Sequence, residues 1–362
     1  MAVTEITNRQ TQAVIAGHVA GVNWGQQFIA EEMFPPANTY GEKFIYETRG
    51  NEGLQDVSGG ERALGADTAH VDHTQVGTAE GALAEYAFET SYDYRLINAD
   101  NVADMLRGAT PAGTLSTADS RRLGNATNLD RKIMILKEKA AALLGFGTAN
   151  YVSSLWYGTG GGSAVVDFAA SGIIRKFAEV RYAVAQLFGQ EPDLLVLGNT
   201  KYLDLWANAE ILARITGGAN NTNPAKVNDE LLAGMLGVAK IVTAKAFTQP
   251  VTAAGVAPAS STPIWTATSA ALVYSGVGQT ADLHSPAFGK TFYMDVPETA
   301  VRQDVRTYTS LNGKLEHIEV TEFFKIAQTM KAGAIFTTKP QTTGSGTRAD
   351  SRARVPRGGT IP

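Results

Sequence analysis

The sequence predicts an α+β protein, because strand patterns and helix patterns occur partly in separate blocks of the chain. A period-2 row of aromatic and β-branched residues occupies 86–94, and an amphipathic helix pattern follows at about 122–145. The region from about 161 to 286 then combines short helices with short buried strands. Hydrophobic residues make up 44% of the chain and charged residues 18%, which is typical of a folded globular protein.

The amino-terminal part predicts an extended arm over residues 1–38, followed by a long two-stranded excursion over 39–97. Tandem prolines at 35–36 end the arm, since proline blocks helix continuation. A first strand runs through 44–48, and the aromatic row at 86–94 is its predicted partner. The stretch between them is rich in Gly, Asp, Glu and Ala, so we expect a long loop.

An isolated pair of strands is marginally stable in water, so the excursion predicts contact with a neighbouring subunit. The side chains that we expect at this subunit interface are aromatic and come from the end of the arm and from both strands. They are Phe34, Phe44, Tyr46, Tyr86, Phe88, Tyr92 and Tyr94.

The helix at about 122–145 shows one clean apolar face. Its members recur at spacings of three and four residues, as an amphipathic helix requires, and are Leu129, Ile133, Leu136, Ala140 and Leu143. Asn125, Thr127 or Asn128 can cap its start, and Gly145 can end it.

The remainder of the chain predicts an α/β unit, a return to strands and a polar tail. Within 161–286, Asp193–Gly198 reads as a buried strand that leads into a helix through Tyr202, Leu205, Ala209 and Leu212. Strands follow over 287–338, where Asn312-Gly313 supplies a hairpin turn. Residues 339–362 are rich in Gly, Ser, Thr and Pro and predict a solvated, flexible end.

Charge and cysteine content exclude several classes of function. The chain has no cysteine, so thiolate metal sites, disulfides and cysteine nucleophiles are excluded. The net charge is −4, although the tail carries five basic residues against one acidic residue. An acidic body is a poor sequence-independent ligand for nucleic acid, while phosphate contact by the tail stays open. No apolar stretch is long enough to span a bilayer, which predicts a soluble protein.

Candidate chemical sites are weak. The run Gly158–Ser163 lacks the Gly-Lys-Ser/Thr ending of a phosphate-binding loop, and we interpret it as an interdomain linker. His70, Asp72 and His73 offer fewer ligands than a metal site needs. Acidic neighbours of the aromatic row, such as Glu89, disfavour base stacking there. We therefore expect no catalytic residue, no cofactor and no metal.

The order of these parts resembles the lambda-type branch of the tailed-bacteriophage major capsid proteins, which have the Hong Kong 97-like fold. The resemblance covers roughly Phe34 to Thr337. It is carried by the segments Pro192–Asn199, Lys201–Trp206, Ile211–Ile215, Val301–Arg306, Gly313–Ala327 and Gly333–Phe336.

The resemblance implies an N-terminal arm (1–38), an E-loop hairpin (39–97), a peripheral domain (98–160 and 287–338) with its spine helix, and an axial domain (161–286). It also implies self-assembly into hexamers and pentamers, a portal, and enclosure of double-stranded DNA in a virion assembled in the host bacterial cytoplasm. A decoration protein stays open as a further partner.

Two departures from the family pattern refine this expectation. Some relatives cross-link subunits through an E-loop lysine, but Lys43, near the base of the hairpin, is the only lysine between 41 and 100. We therefore expect a shell without covalent cross-links. Since no fused helical scaffolding domain precedes the arm, we expect a separate scaffolding protein.

Two other functions stay open at this point. An encapsulin-like protein compartment would use the same fold with a cargo enzyme in place of a genome. A soluble α/β enzyme built on 161–286 would form a small oligomer with a deep polar pocket, and the excursion at 39–97 would then have no purpose.

Overall fold

A computed structural model of the chain describes residues 15, 27–50, 77–93, 95–96, 99–100, 117–215, 228–249, 260–276, 285–295, 302–310 and 314–337. Most of the predicted arm, the middle of the excursion and the basic tail lie outside these residues, as do Tyr94, His70, Asp72 and His73. No helix within the described ranges is long and apolar enough to cross a membrane.

The elements up to the long helix are, in chain order, α1 (Ala30–Met33), β1 (Pro36–Asn38), β2 (Lys43–Thr48), β3 (Gly77–Ala82), β4 (Ala84–Asp93) and α2 (Thr117–Gly145). The elements after it are β5 (Trp156–Tyr157), α3 (Ile173–Phe188), β6 (Leu194–Leu197), α4 (Asn199–Trp206), α5 (Ala209–Ile215), α6 (Asp229–Leu236), β7 (Lys240–Thr243), β8 (Phe247–Thr248), β9 (Thr262–Pro263), β10 (Ala270–Val273), β11 (Gly289–Met294), β12 (Gln303–Thr309), β13 (Leu315–Gln328) and β14 (Gly333–Phe336).

The first sheet is built around β13, the longest strand. One side of β13 pairs antiparallel with β4, and its other side pairs antiparallel with β12 and then with β11. β1 adds in parallel to β11. α2 packs across one face of this sheet, mainly against β13 and β4, so a single long helix covers strands from two distant parts of the chain.

The partner predicted for the first strand of the excursion was wrong. β2 pairs antiparallel with β3, with Phe44 opposite Gly81 and Tyr46 opposite Ala79, and not with the aromatic row. The aromatic row is β4, whose partner is β13. A Cβ at Gly81 would overlap the Phe44 ring, so this glycine gives Phe44 room to lie across its partner strand.

The predicted spine helix is present, but it begins at Thr117 and its buried face is rotated from the predicted one. Leu129 and Ile133 are buried as expected, whereas Leu143 is 72% exposed. Lys137 and Glu138 occupy the buried face, at 1% and 0% exposure. The sheet supplies Glu322 as the charged partner of Lys137, and Glu138 accepts hydrogen bonds from the N–H groups of Ile29 and Ala30 and from the Trp265 indole. These partners accompany the shift of the contact face of the helix.

The second sheet has the strand order β5-β14-β10-β6-β7. It combines β6, β7 and β10 of the α/β unit with β5 and β14, which lie outside the bounds 161–286 predicted for that unit. The predicted buried strand is β6, all four residues of which are buried. One core cluster contains side chains of α3–α6 together with Leu195, Leu197 and Leu272 of the sheet. Alternate sheet residues, such as Leu194 and Val196, join the core that surrounds α2, so both faces of this sheet are covered.

The helix predicted to follow β6 is divided into α4 and α5. The buried Asn208 causes the break, because its amide donates to the carbonyls of Phe168 and Ala170 and its oxygen accepts from the Glu210 N–H. Asparagine side chains that bond the backbone in this way favour helix starts over helix interiors.

Candidate functional site

Three aromatic residues of the predicted interface lie on β4 and face α2 of their own subunit. Tyr86 stacks on Phe324 of β13 with ring centroids 4.4 Å apart, and Lys132 of α2 lies over the Phe88 ring. Tyr92 is 8% exposed, and burial, together with the nearby Glu316 carboxylate, raises the pKa of its hydroxyl to about 12. These side chains pack mainly inside the subunit.

Phe34, at the end of the arm, is fully buried in the core of its own chain. Its ring lies 5.9 Å from that of Phe288, and its carbonyl oxygen accepts a hydrogen bond from the Thr291 hydroxyl. Ile15, the one described residue of the more distal arm, is also buried in this core. The arm is therefore tied to the body at these two points.

The pair β2–β3 rests on the first sheet through Phe44 and Tyr46. Their ring centroids lie 4.6 and 5.1 Å from that of Phe292 on β11. Ile45, on the opposite side of β2, is 62% exposed. An open groove of about 790 Å³ runs beside the pair, lined in part by Lys43, Ile45, Glu80 and Lys325. Half-buried Phe44 and Tyr46 thus connect the body to a strand that exposes one apolar side chain, Ile45.

A partly buried charge cluster joins α1, α2 and the first sheet, and we call it the ion cluster: Glu31, Lys137, Arg302 and Glu322. Lys137 Nζ lies 2.6 Å from Glu322 Oε1 and 3.3 Å from Glu31 Oε1, and Arg302 contacts both carboxylates. Burial opposes ionisation of Glu31, but the charges of Lys137 and Arg302 outweigh it and hold the pKa of Glu31 below its usual value. The cluster fixes the base of the arm to the sheet through the helix.

Glu138, next to Lys137, ties the same helix to the start of α1 and to the α/β unit. Its carboxylate accepts hydrogen bonds from the N–H groups of Ile29 and Ala30 and from the Trp265 indole. Burial raises its pKa to about 7, although these three donors oppose the shift. The sequence alone pointed to neither residue, although Lys137 stands four positions after Ile133, on the same side of the helix.

The glycine run Gly158–Ser163 is a packed turn and not an interdomain linker. A Cβ on Gly161 would lie 2.3 Å from the Trp156 carbonyl oxygen, and one on Gly162 would lie 2.5 Å from the Ser153 carbonyl oxygen. Ser163 donates its hydroxyl proton to the Ser154 carbonyl. The glycines therefore allow the backbone to fold closely against β5.

The described residues contain no group of three or more His, Asp or Glu side chains arranged to hold a metal ion. Several exposed apolar side chains stand instead on helices of the α/β unit. They are Tyr182 and Leu187 of α3, Leu203 and Trp206 of α4, and Leu231 of α6. Such side chains suit contacts between macromolecules better than they suit catalysis.

No protein-family model and no curated protein matches the sequence. Solved structures do match. A phage-related protein from Bordetella bronchiseptica RB50 is 18% identical, with a TM-score of 0.64 over 90% of this chain and 96% of that chain. The capsid of Ralstonia phage GP4 is 12% identical, with a TM-score of 0.46 over 88% and 91%. The holo-SrpI encapsulin complex from Synechococcus elongatus PCC 7942 is 11% identical, with a TM-score of 0.43 over 86% and 87%.

The first of these similarities shows that the chain has the fold of a phage-related protein. The helices and sheets of the structure confirm the predicted α+β fold class. Phage capsids stand among the matches with TM-scores below 0.5. None of the comparisons tests the lambda-type branch.

Proposed function

We propose that the chain is the major capsid protein of a tailed bacteriophage, a non-enzymatic subunit that assembles into the icosahedral shell around double-stranded DNA. The observation that carries this proposal is the fold shared with a phage-related protein over 90% of the chain. A fold alone does not fix a function, so the surface of the subunit supplies the second support.

That surface has the properties of a subunit that forms contacts in several directions. The pair β2–β3 forms a two-stranded sheet of its own, and its exposed Ile45 and the nearby fully exposed Tyr40 are apolar groups free for burial by a neighbour. On the α/β unit, Tyr182, Leu203 and Trp206 are about half or more exposed. Aromatic residues are enriched in interface cores, so we assign contacts to both regions.

In this proposal each predicted domain has a role in assembly. The axial domain (161–286) packs around local five- and six-fold axes, and heterologous contacts of that kind close into rings. The excursion at 39–97 lies on an adjacent subunit, with Phe44 and Tyr46 at its base. Many weak contacts of this kind act together to stabilise the shell. Scaffolding is supplied by a separate protein, and a portal replaces subunits at one vertex.

The assembled shell is held without covalent cross-links. Lys43 is the first residue of β2 and stands opposite Ala82, at the base of the strand pair. Shells boiled in denaturant should therefore give one band at the subunit mass of 38.3 kDa in gel electrophoresis. A ladder of covalent multimers would contradict this part of the proposal.

The decisive experiment is expression of the full chain with and without the neighbouring scaffold gene, followed by sedimentation and electron microscopy. We expect closed shells of uniform diameter in the presence of scaffold. Monomers or small rings under both conditions would overturn the capsid proposal. Shells that carry an enzyme cargo in the native host, with no portal, would replace the capsid role by a compartment role.

A further inference from the structure

The first sheet has a second face, turned away from α2, which we call the outer sheet face. It consists of the alternate side chains of β4, β12 and the Leu315–Phe323 part of β13. Val320 of β13 pairs with Val305 of β12 and Phe88 of β4, and these three side chains face α2. The next residue, Glu319, pairs with Arg306 and Glu89, and these three side chains lie on the outer sheet face. The outer face is therefore polar where the inner face is apolar.

Negative charge dominates the outer sheet face. Its carboxylates are Glu85, Glu89, Asp93, Glu319 and the buried Asp304. Asp304 pairs with Arg306, which is the only Lys or Arg side chain on this face within the bounds of β4, β12 and Leu315–Phe323. Glu89 stands directly opposite Glu319 on the neighbouring strand. Like charges in directly opposite positions destabilise a strand pair, and here Arg306, opposite Glu319 on its other side, is the nearest compensating cation by register.

An aromatic surface lies beside these carboxylates. The Tyr308 ring is stacked on the His317 ring, with centroids 4.9 Å apart and planes 1° from parallel, and Tyr308 is 41% exposed. The Tyr308 hydroxyl donates to Glu89 Oε2 at 2.7 Å, and His317 contacts the same carboxylate. Carboxylates beside a flat ring suit the guanidinium of arginine, which pairs with the former and stacks on the latter.

The two ends of β13 differ in their covering. Near Gln328 the outer side is covered by β2–β3, because Phe44 and Tyr46 lie on Phe292 there. Near Leu315, the outer residues of the adjacent β4, from Glu85 to Asp93, are all exposed. The acidic part of the face thus stays open in the isolated subunit.

We propose that the open, acidic part of the outer sheet face binds the basic tail, residues 339–362, of a second copy of the chain. The tail offers Lys339 and four arginines, at 348, 352, 354 and 357, against the single Asp350. This proposal rests on the proposed function, since it adds one contact between subunits of the shell.

The direction of the chain favours the tail of another copy over the subunit's own tail. The tail follows Thr337, after β14 has joined the second sheet, whereas the acidic patch lies around 315–321. At the rise of an extended strand, His317 is about 36 Å from Gln328, the end of β13 from which the chain continues to the tail. The subunit's own tail would use about 11 extended residues, roughly half of its length, to return over that distance, whereas the tail of another copy is not bound to that path.

The test uses a fluorescein-labelled peptide of residues 339–362 and the unassembled full-length subunit whose four tail arginines are replaced by glutamine. Fluorescence anisotropy at about 50 mM salt should show saturable binding that weakens at 200 mM salt, because salt screens exposed charges. Glu85→Gln with Glu319→Gln should weaken binding at least about fivefold. The matched pair Glu179→Gln with Glu230→Gln, exposed on α3 and α6, should leave it unchanged.

A peptide with all four arginines replaced by glutamine should not bind, and this arm does not depend on the folding of any protein variant. The proposal is overturned if the native peptide shows no saturable binding, if it binds DNA but not the subunit, or if the Glu85 and Glu319 changes leave its affinity unaltered. Shells that assemble without peptide binding refute this inference alone. Peptide binding by a subunit that never forms shells refutes the proposed function alone.

Discussion

Replacement of Lys137 by methionine tests the ion cluster that connects α1, α2 and the first sheet. Methionine keeps most of the aliphatic volume of lysine and removes its charge. Both Lys137 and Glu322 are 1% exposed, and their charged atoms lie 2.6 Å apart. Glu322 Oε2 is also buried and has no hydrogen-bond partner among the described residues. The substitution therefore leaves a carboxylate without its nearest cation inside the protein.

The expected loss of stability on Lys137→Met depends on the cation that remains beside Glu322. Removal of one partner of a buried ion pair destabilises a protein by about 3–5 kcal/mol, because the other charge stays buried. Arg302 Nε still lies 3.0 Å from Glu322 Oε1 and compensates part of that charge. We therefore expect the lower end of the range, a loss of about 3 kcal/mol in the free energy of unfolding.

The assay is urea denaturation of the unassembled subunit at neutral pH, with the denaturant slope checked for constancy. Lys139→Met is the matched control, since Lys139 is exposed on the same helix, and its effect should stay within about 0.5 kcal/mol. The double variant with Glu322→Gln should lose less than the sum of the single losses, because the two residues interact. A Lys137 variant no less stable than the Lys139 control would refute the reasoning.

Three further perturbations test other parts of the molecule. Because burial raises the pKa of Glu138 to about 7 from 4.5, its stabilising contribution is complete below about pH 4.5 and falls as the pH rises through 7. Between pH 4.5 and 8, the free energy of unfolding of the parent should fall by about 3 kcal/mol relative to that of the Glu138→Gln variant. Urea midpoints of parent and variant that change equally with pH would contradict this. Phe34→Ala should cost about 3–5 kcal/mol through the cavity that it creates, whereas the exposed Tyr40→Ala should cost almost nothing in the same assay. Replacement of residues 52–75 by a short Gly-Ser linker leaves β2 and β3 in place, so the subunit should melt as the parent does but form no closed shells in electron micrographs.

The sequence predicted elements whose signals are local. β6 is a short apolar run followed by a helix start, and α2 carries the apolar residues Leu129 and Ile133 four positions apart, both of which are buried. Periodicity of that kind depends only on neighbouring residues, so it survives in the folded protein. The α+β class followed from these patterns.

Pairing and burial of charge could not be predicted in the same way. The alternation of aromatic and polar residues in β4 predicted a strand, but a local pattern does not identify the partner strand. The partner is β13, more than 200 residues later in the sequence. Lys137 and Glu138 look like surface residues because charged groups are rarely buried without partners. Their partners, Glu322 and Trp265, lie 185 and 127 residues away in sequence.

The position of β13 also sets the order in which a new chain can fold. Glu89 on β4 and His317 on β13 are 228 residues apart, yet their strands pair directly. At translation rates of about 5–20 residues per second, β13, the strand that lies between β4 and β12, is synthesised on the order of 10–45 s after β4 and α2. During that interval the inward aromatic side chains of β4 lack their sheet partner and are exposed to chaperones. Only a chain that has been synthesised past Gln328 can complete the first sheet, so products that end before this residue lack the central strand of that sheet.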